Sequence, residues 1–253
     1  DFVGGEMTLK GVTTGASIVQ VATSSMHTMV VLSDGTVKAA GRNYYGQLGI
    51  NNTTQKNSWV TSNITGVSHV ALGYEFSIAV LNDGTVQAVG DNSYGRTGVQ
   101  NYGDGLPWRV SPVTGVSELS LGDAASFAVL IDGTVKVAGK NNKGQLGDGT
   151  TTTRYSWVTS NITGVSQIEA GFYWSAALMN DGTVKAVGNN NYGQIGDGTN
   201  TNRATWTTSS LLTGVSQLST MGAADNTHII ALMNDGTVKG LGNNNYGQLG
   251  NGT

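Results

Sequence analysis

One stretch constrains this chain more than any other, the run from Met179 to Gly196 that reads MNDGTVKAVGNNNYGQIG, because the sequence writes it five times. Its Asp-Gly pair recurs at 34–35, 83–84, 132–133, 181–182 and 235–236, so successive copies begin 49, 49, 49 and 54 residues apart. A fixed period of this size marks an array in which one small supersecondary unit stacks on the next. The longer last interval comes from residues added before Gly214 and between Gly214 and Asp235. Both additions fall in connections, where changes of length are tolerated.

Each copy reads as four short strands. The first follows Thr-Gly-Val-Ser, as in His69-Val70-Ala71-Leu72, and is closed by a glycine (Gly73, Gly122, Gly171, Gly222). The second is an unbroken apolar run such as Phe127-Ala128-Val129-Leu130, the pattern of a strand covered on both faces. Asp-Gly joins it to a third strand and is expected to form a two-residue type I′ hairpin, in which both residues take positive φ. A glycine loop, Asn-x-Tyr-Gly-Gln-Leu-Gly in its commonest form, comes next. A fourth strand then opens on Trp59, Trp108, Trp157 or Trp206, each 25 residues after its Asp.

Ala79, Ala128, Ala177 and Ala231 share one position in the second strand, with Val30 in the first copy. A small residue at a fixed depth suits sheets that crowd towards an axis. Four strands per ~45–50 residues is the signature of a propeller blade. The expected fold is all-β, a β-propeller of four-stranded blades forming one domain over residues 1–253. Residues 1–14 carry a short alternating segment, Met7 to Val12, expected to supply the fourth strand of the last blade and close the ring. Two alternatives stand beside this: the chain is an excerpt of a larger propeller whose other repeats are not included, or the strand is exchanged between chains, which would drive self-assembly.

The charge balance argues against nucleic acid as a partner. Lys and Arg total 13 against 16 Asp and Glu, so a net charge of −3 offers no basic surplus for phosphates. No apolar run approaches the ~20 residues of a membrane-crossing helix. The sequence has no cysteine, which excludes disulfides, thiolate metal sites and cysteine nucleophiles. Its polar residues are mainly Asn, Thr, Ser and Gly rather than Lys and Glu, which points to an extracellular, cell-surface or virion-surface setting. Asn-x-Thr triplets at Asn63 and Asn161 recur with the structural period and read as turn chemistry.

The run ALMNDGTVKAVGNNNYGQIGDGT, preceded by Gly-x-x-x-Ser, resembles the repeat of the regulator of chromosome condensation family from about Gly15 to Thr253. The resemblance implies a β-propeller, usually of seven blades, whereas five copies are present here. It also implies several functional branches: a nuclear guanine-nucleotide exchange factor that binds chromatin, a secreted bacterial β-lactamase inhibitor, and bacterial surface proteins. The exchange-factor reading would call for a basic extension and a long inserted wedge loop, and the sequence shows neither. A fold alone does not fix an activity.

No residue set reads as catalytic, metal-binding or cofactor-binding. His27 and His228 share the position held by Phe76, Ala125 and Trp174 in the other copies, which marks a structural position, and His69 stands alone. Asp148-Gly149-Thr150 and Asp197-Gly198-Thr199 lack the oxygen ladder and distal Glu of a calcium loop. The recurrent Asn43, Asn92, Asn141, Asn190 and Asn244 are expected to bond loop backbone. Gln47, Gln145, Gln194 and Gln248 are expected to link neighbouring blades, with Arg96 in their place in the second copy.

Specificity in a repeat protein resides where copies differ. The turn between first and second strands reads Tyr74-Glu75-Phe76 in one copy and Phe172-Tyr173-Trp174 in another. Phe172, Tyr173, Trp174, Tyr74 and Phe76 are therefore expected to form an aromatic contact patch, since Tyr and Trp dominate protein-binding hot spots. Tyr44, with no aromatic counterpart, joins them, while Tyr45, Tyr94, Tyr192 and Tyr246 share one position and are expected to pack. The expected function is a non-enzymatic binding module for another protein, with a surface glycan second and a structural or assembly repeat as the alternative.

Overall fold

The computed structural model describes residues 15–100, 105–221 and 228–252. Five antiparallel sheets follow one another along the chain. The first holds β1 (Ile18–Thr23), β2 (His27–Leu32), β3 (Val37–Gly41) and β4 (Lys56–Thr61). The second holds β5 (Val67–Leu72), β6 (Phe76–Leu81), β7 (Val86–Gly90) and β8 (Gly105–Ser111), and the third β9 (Val116–Leu121), β10 (Ala125–Leu130), β11 (Val135–Gly139) and β12 (Arg154–Thr159). The fourth holds β13 (Val165–Ala170), β14 (Trp174–Met179), β15 (Thr183–Gly188) and β16 (Arg203–Thr213). In the fifth, β17 (Val215–Met221), β18 (His228–Met233) and β19 (Val238–Gly242) are described. This is the all-β propeller architecture expected from the period. The proposed closing strand, Met7 to Val12, lies outside the described residues, as does the turn 222–227.

The first strand of each sheet lies innermost. Successive inner strands touch in chain order, β1 on β5, β5 on β9, β9 on β13 and β13 on β17. Gln20 shows how they are joined: its Nε2 donates to Val70 O at 2.9 Å and its Oε1 accepts from Val70 N at 2.8 Å. Gln167 makes the same pair of bonds with the main chain of Leu218. One amide side chain thus satisfies both main-chain groups of a residue 50 or 51 positions on.

The apolar cores lie between sheets rather than within them. Met29, Val31, Val37 and Leu48 of the first sheet pack with Val70, Ala79 and Trp108 of the second. Ala79, Ala128, Ala177 and Ala231 are all fully buried, each against the preceding sheet. The second strands, buried along nearly their whole length in the middle sheets, are the cores' central layer.

The Asp-Gly turns differ from the expected type I′ hairpin. Only the glycines take positive φ, with Gly35 at 78° and Gly84, Gly133 and Gly236 at 82°. Gly35 N donates to Leu32 O, Leu32 N donates to Thr36 O, and Asp34 Oδ1 accepts from Thr36 N at 2.9 Å. The loop therefore has three residues, a type I turn followed by a left-handed glycine. Asp is required for its carboxylate, which holds the Thr N–H two residues on, and not for tolerance of positive φ.

The glycine loops depend on a buried asparagine. Asn190 Nδ2 donates to Thr199 O at 2.8 Å and its Oδ1 accepts from Ile195 N at 2.9 Å. Asn43 and Asn141 bond their loops in the same way. Replacing Asn190 with Ala leaves both main-chain groups without partners and should cost about 2–3 kcal/mol. Thermal denaturation measures this, and an unchanged melting curve would rule it out.

The glutamines correct a second expectation. The Oε1 atoms of Gln47, Gln145 and Gln194 accept main-chain N–H groups two residues earlier, from Tyr45, Lys143 and Tyr192. The link to the next sheet comes instead from the main-chain carbonyl at this position: Ser77 Oγ donates to Gln47 O, and Ser126 Oγ donates to Arg96 O. The tryptophans supply a further junction, since Trp108, Trp157 and Trp206 donate their indole N–H to Ser62, Ser111 and Ser160 of the preceding sheet.

Candidate functional site

The start of each second strand pairs with the end of the third, as in His27 opposite Gly41 and Trp174 opposite Gly188. The turn joining first and second strands and the glycine loop therefore emerge at the same end of the sheet. The Asp-Gly turns lie at the other end. All the sequence variation singled out above thus falls on one face.

On this face cations reach across from sheet to sheet. Arg42 follows β3, forms an ion pair with Glu75 at 3.0 Å in the next sheet's turn, and lies 5.0 Å from the Tyr44 ring centroid. Arg96 pairs with Asp91 and donates to Asp123 O in the third sheet at 2.6 Å. Lys140 follows β11 and donates to the Tyr173 hydroxyl at 3.3 Å. Its Nζ lies 4.9 Å from the ring centroid of Tyr94, 4.8 Å from that of Tyr173 and 5.7 Å from that of Phe172. One ammonium is thereby surrounded by rings from the sheets on either side, each contact being worth about 0.5–1 kcal/mol where solvent reaches it.

Tyr94 completes this cluster at a conformational cost. Its φ of 64° puts a bulky side chain in the left-handed region, where the penalty is roughly 1–2 kcal/mol. Such strain persists only where surrounding structure imposes it. Phe172 and Tyr173 stand edge to face, with centroids 4.2 Å apart.

The expected aromatic patch divides in two. Phe172, Tyr173 and Tyr74 are half-buried on the loop face, and Tyr44 is 69% exposed. Phe76 and Trp174 are fully buried and are corrected from contact residues to core. Both open a second strand, at the position of His27, and turn inward. Their rings lie over Gly73 and Gly171, where an added Cβ would collide with them. That glycine is what permits a large ring at the tip of the hairpin.

The shared tyrosine position behaves in the opposite way. Tyr94, Tyr192 and Tyr246 are exposed rather than packed, at 44%, 42% and 82%. Sequence reasoning missed them because recurrence at one position suggested packing. The signal was in the neighbours: Asn and Gln in the same loops already meet its main-chain needs, which leaves the tyrosines unclaimed.

The remaining polar residues are held by one another. Asp148 and Asp197 pair with Arg154 and Arg203 at 2.6 Å, so these carboxylates serve their own loops. Among the described residues no group of three or more His, Asp or Glu is placed to hold a metal ion. His27 is buried between Ser24 Oγ and Ser77 Oγ, at 2.9 and 2.8 Å, and burial lowers its pKa to about 4. Burial also pushes Glu118 and Glu169 on the inner strands up.

The model of the regulator of chromosome condensation (RCC1) repeat matches residues 18–47, 67–96 and 165–194, each running from the inner strand into the glycine loop. No curated protein sequence matches the chain. Among solved structures, human WBSCR16 superposes with a TM-score of 0.76 at 24% identity, over 94% of this chain and 65% of that one. Prp20p of Saccharomyces cerevisiae, described with its binding to Gsp1p and histones, gives 0.68 at 17% identity, over 78% of this chain and 51% of that one. The ectodomain of the Physcomitrella patens receptor kinase CR4 gives 0.54 at 11% identity, over 92% and 52%. At these identities the likeness concerns the fold, and the chain spans less than two thirds of each structure's length. The copies at Asp132 and Asp235 share the strand register of the three that match. Three of the five copies thus match this repeat, and the chain is similar to the regulator of chromosome condensation family.

Proposed function

We propose that this chain is a non-enzymatic binding module that presents its loop face to another protein, on a cell or virion exterior. The observation that carries the reading is the arc of exposed tyrosines, Tyr44, Tyr94, Tyr192 and Tyr246, on the one face where the copies differ. Tyrosine buries a large area for the loss of few rotamers, and a rigid sheet behind each ring reduces that loss further. The Lys140 cluster adds a fixed positive charge beside the rings, favouring a partner with carboxylates near its own contact residues. Prp20p, a structure of the same fold, is described with protein partners, which agrees with a propeller used for protein contact. The exterior setting rests on the Asn-, Thr- and Ser-rich, lysine-poor composition.

The test is capture of partners by the native chain and by a variant carrying Tyr44→Ala, Tyr94→Ala and Tyr192→Ala together. The expected result is loss of the specific partner with the melting temperature within a few degrees of native. Capture of the same proteins by both chains would overturn the reading. Retention of a glycan by the native chain alone would transfer the same face to a sugar ligand.

A further inference from the structure

We propose that Glu118 is a proton-operated bridge between the third and fourth sheets: as the acid it makes the paired main-chain bonds that glutamine makes at other junctions, and as the carboxylate it gives one of them up. Strand register carries the assignment. Gln20 stands opposite Val31 in the first sheet, Glu118 opposite Val129 in the third and Gln167 opposite Leu178 in the fourth. All three hold one position on their inner strands. Gln20 reaches Val70, Glu118 reaches Ile168 and Gln167 reaches Leu218. Those targets are equivalent too, standing opposite Ala79, Ala177 and Ala231.

The bonds differ as the chemistry of the side chains requires. Each glutamine accepts from the main-chain N–H of its target, at 2.8 Å for Gln20 and 2.9 Å for Gln167, and donates to the C=O of the same residue. Glu118 accepts from Ile168 N at 3.4 Å, a longer bond. The Ile168 C=O lies on the same side of β13 as its N–H, so it also faces β9. A carboxylate has no hydrogen to offer that carbonyl. A carboxylic acid has one, and it matches the glutamine amide in shape. One proton from solvent thus turns a single long bond into a pair.

The surroundings favour that proton. Burial pushes Glu118 above its ordinary value, and Glu169 on β13 is pushed up by burial and by the charge of Glu118. Glu169 already accepts from Gln167 Nε2 at 2.7 Å. His69 holds the Glu118 position on β5, with Nδ1 3.0 Å from Ser68 Oγ. The remaining strand packed on β9, β10, carries no titratable residue. Ser120 Oγ accepts from Ala170 N at 3.0 Å, so a bond that does not titrate keeps β9 and β13 aligned in both states. Because β13 runs through Gly171 into Phe172 and Tyr173, the bridge fastens the strand behind that part of the loop face. It belongs to the frame and needs no partner, so it is independent of the proposed binding function.

The test is thermal denaturation at pH 4 and pH 7 of the native chain, Glu118→Gln, Glu118→Met and Gln20→Glu. With a folded value raised above the unfolded 4.5, the stability Glu118 contributes is present below pH 4.5 and lost as pH rises through the folded value. Glu118→Gln keeps both bonds at every pH. It should melt with the native chain at pH 4 and roughly 2–4 °C above it at pH 7. Glu118→Met removes the charge but offers no bond, so it should melt below Glu118→Gln at both pH values. Gln20→Glu should acquire the dependence, melting with the native chain at pH 4 and below it at pH 7. A native chain that melts with Glu118→Gln at both pH values would overturn the bridge. So would equal melting of the Gln and Met variants, or a pH-independent difference between Gln20→Glu and the native chain.

Discussion

Gly147→Ala should lower the stability of this protein by about 3–5 kcal/mol, whereas Gly133→Ala should cost only about 1–2 kcal/mol. Both glycines take left-handed backbone, with φ of 62° and 82°. A methyl group at either therefore carries the same conformational penalty. What separates them is space. A Cβ at Gly133 meets nothing within 4 Å, while one at Gly147 would overlap the indole nitrogen of Trp206. That indole donates to Ser160 Oγ at 2.9 Å, and Ser160 in turn donates to Leu146 O at 2.9 Å. The ring also meets Phe127 edge-on in the core between the third and fourth sheets. Moving it breaks the serine relay and opens that core together. For a chain of this size the difference amounts to a fall in melting temperature of roughly 10 °C for Gly147→Ala against about 4 °C for Gly133→Ala. Thermal denaturation followed by tryptophan fluorescence reads both. Equal shifts would show that backbone conformation alone fixes the glycine at Gly147.

The same glycine shows how far the sequence carries the fold. The period, the strand count per copy and the glycine positions were legible because each obeys a local rule: turn chemistry, alternation, or a left-handed residue. Gly147 could be read as a turn glycine from its loop alone, but its second role, clearing room for Trp206, depends on a residue in the next copy. Contacts between copies leave no local trace. For that reason the sequence points Gln47 to the junction, whereas its side chain serves its own loop and the main-chain carbonyl makes the junction. The place of the Asp-Gly turn is legible but its geometry is not, since Asp stabilises two different hairpins and only the observed φ values distinguish them. At the candidate site, variation between copies points to Phe172, Tyr173 and Tyr44, which lie half-buried or exposed on the loop face. Trp174 and Phe76 looked identical to them in sequence, and only the pairing with Gly188 and Gly90 turns those rings into the core.

Between pH 6.5 and about 4 the protein should lose stability through His27, by about 3 kcal/mol in total, and this loss should disappear in His27→Ala. The ring lies in a closed hydrogen-bond chain. Ser77 Oγ donates to Gln47 O, so it accepts from His27 Nε2 at 2.8 Å, which leaves Nδ1 to accept from Ser24 Oγ at 2.9 Å. The network therefore assigns the neutral Nε2–H tautomer. Burial without a carboxylate partner disfavours the imidazolium and lowers the pKa from 6.5 to about 4. Because the folded value lies below the unfolded one, the unfolded chain binds the proton first as pH falls. Stability is fully present above pH 6.5, declines through the window and levels off below about 4. His69, also lowered by burial, acts in the same direction, whereas Glu118 and Glu169, raised by burial, act in the opposite one. The total pH profile thus mixes several groups, and the difference between native and variant isolates His27. Ala is the suitable replacement because Ala125 holds the same position in the third sheet, opposite Gly139 as His27 is opposite Gly41, whereas the Cβ of Ser24 stands where Gly73 makes room for the ring of Phe76. The variant should start less stable at pH 7, with Ser24 and Ser77 each short of a partner, yet lose less on acidification. Urea denaturation of both chains at pH 7, 6, 5 and 4 gives the two curves. Parallel curves would mean that His27 is protonated in the fold at little cost and that the acid sensitivity of this protein lies elsewhere.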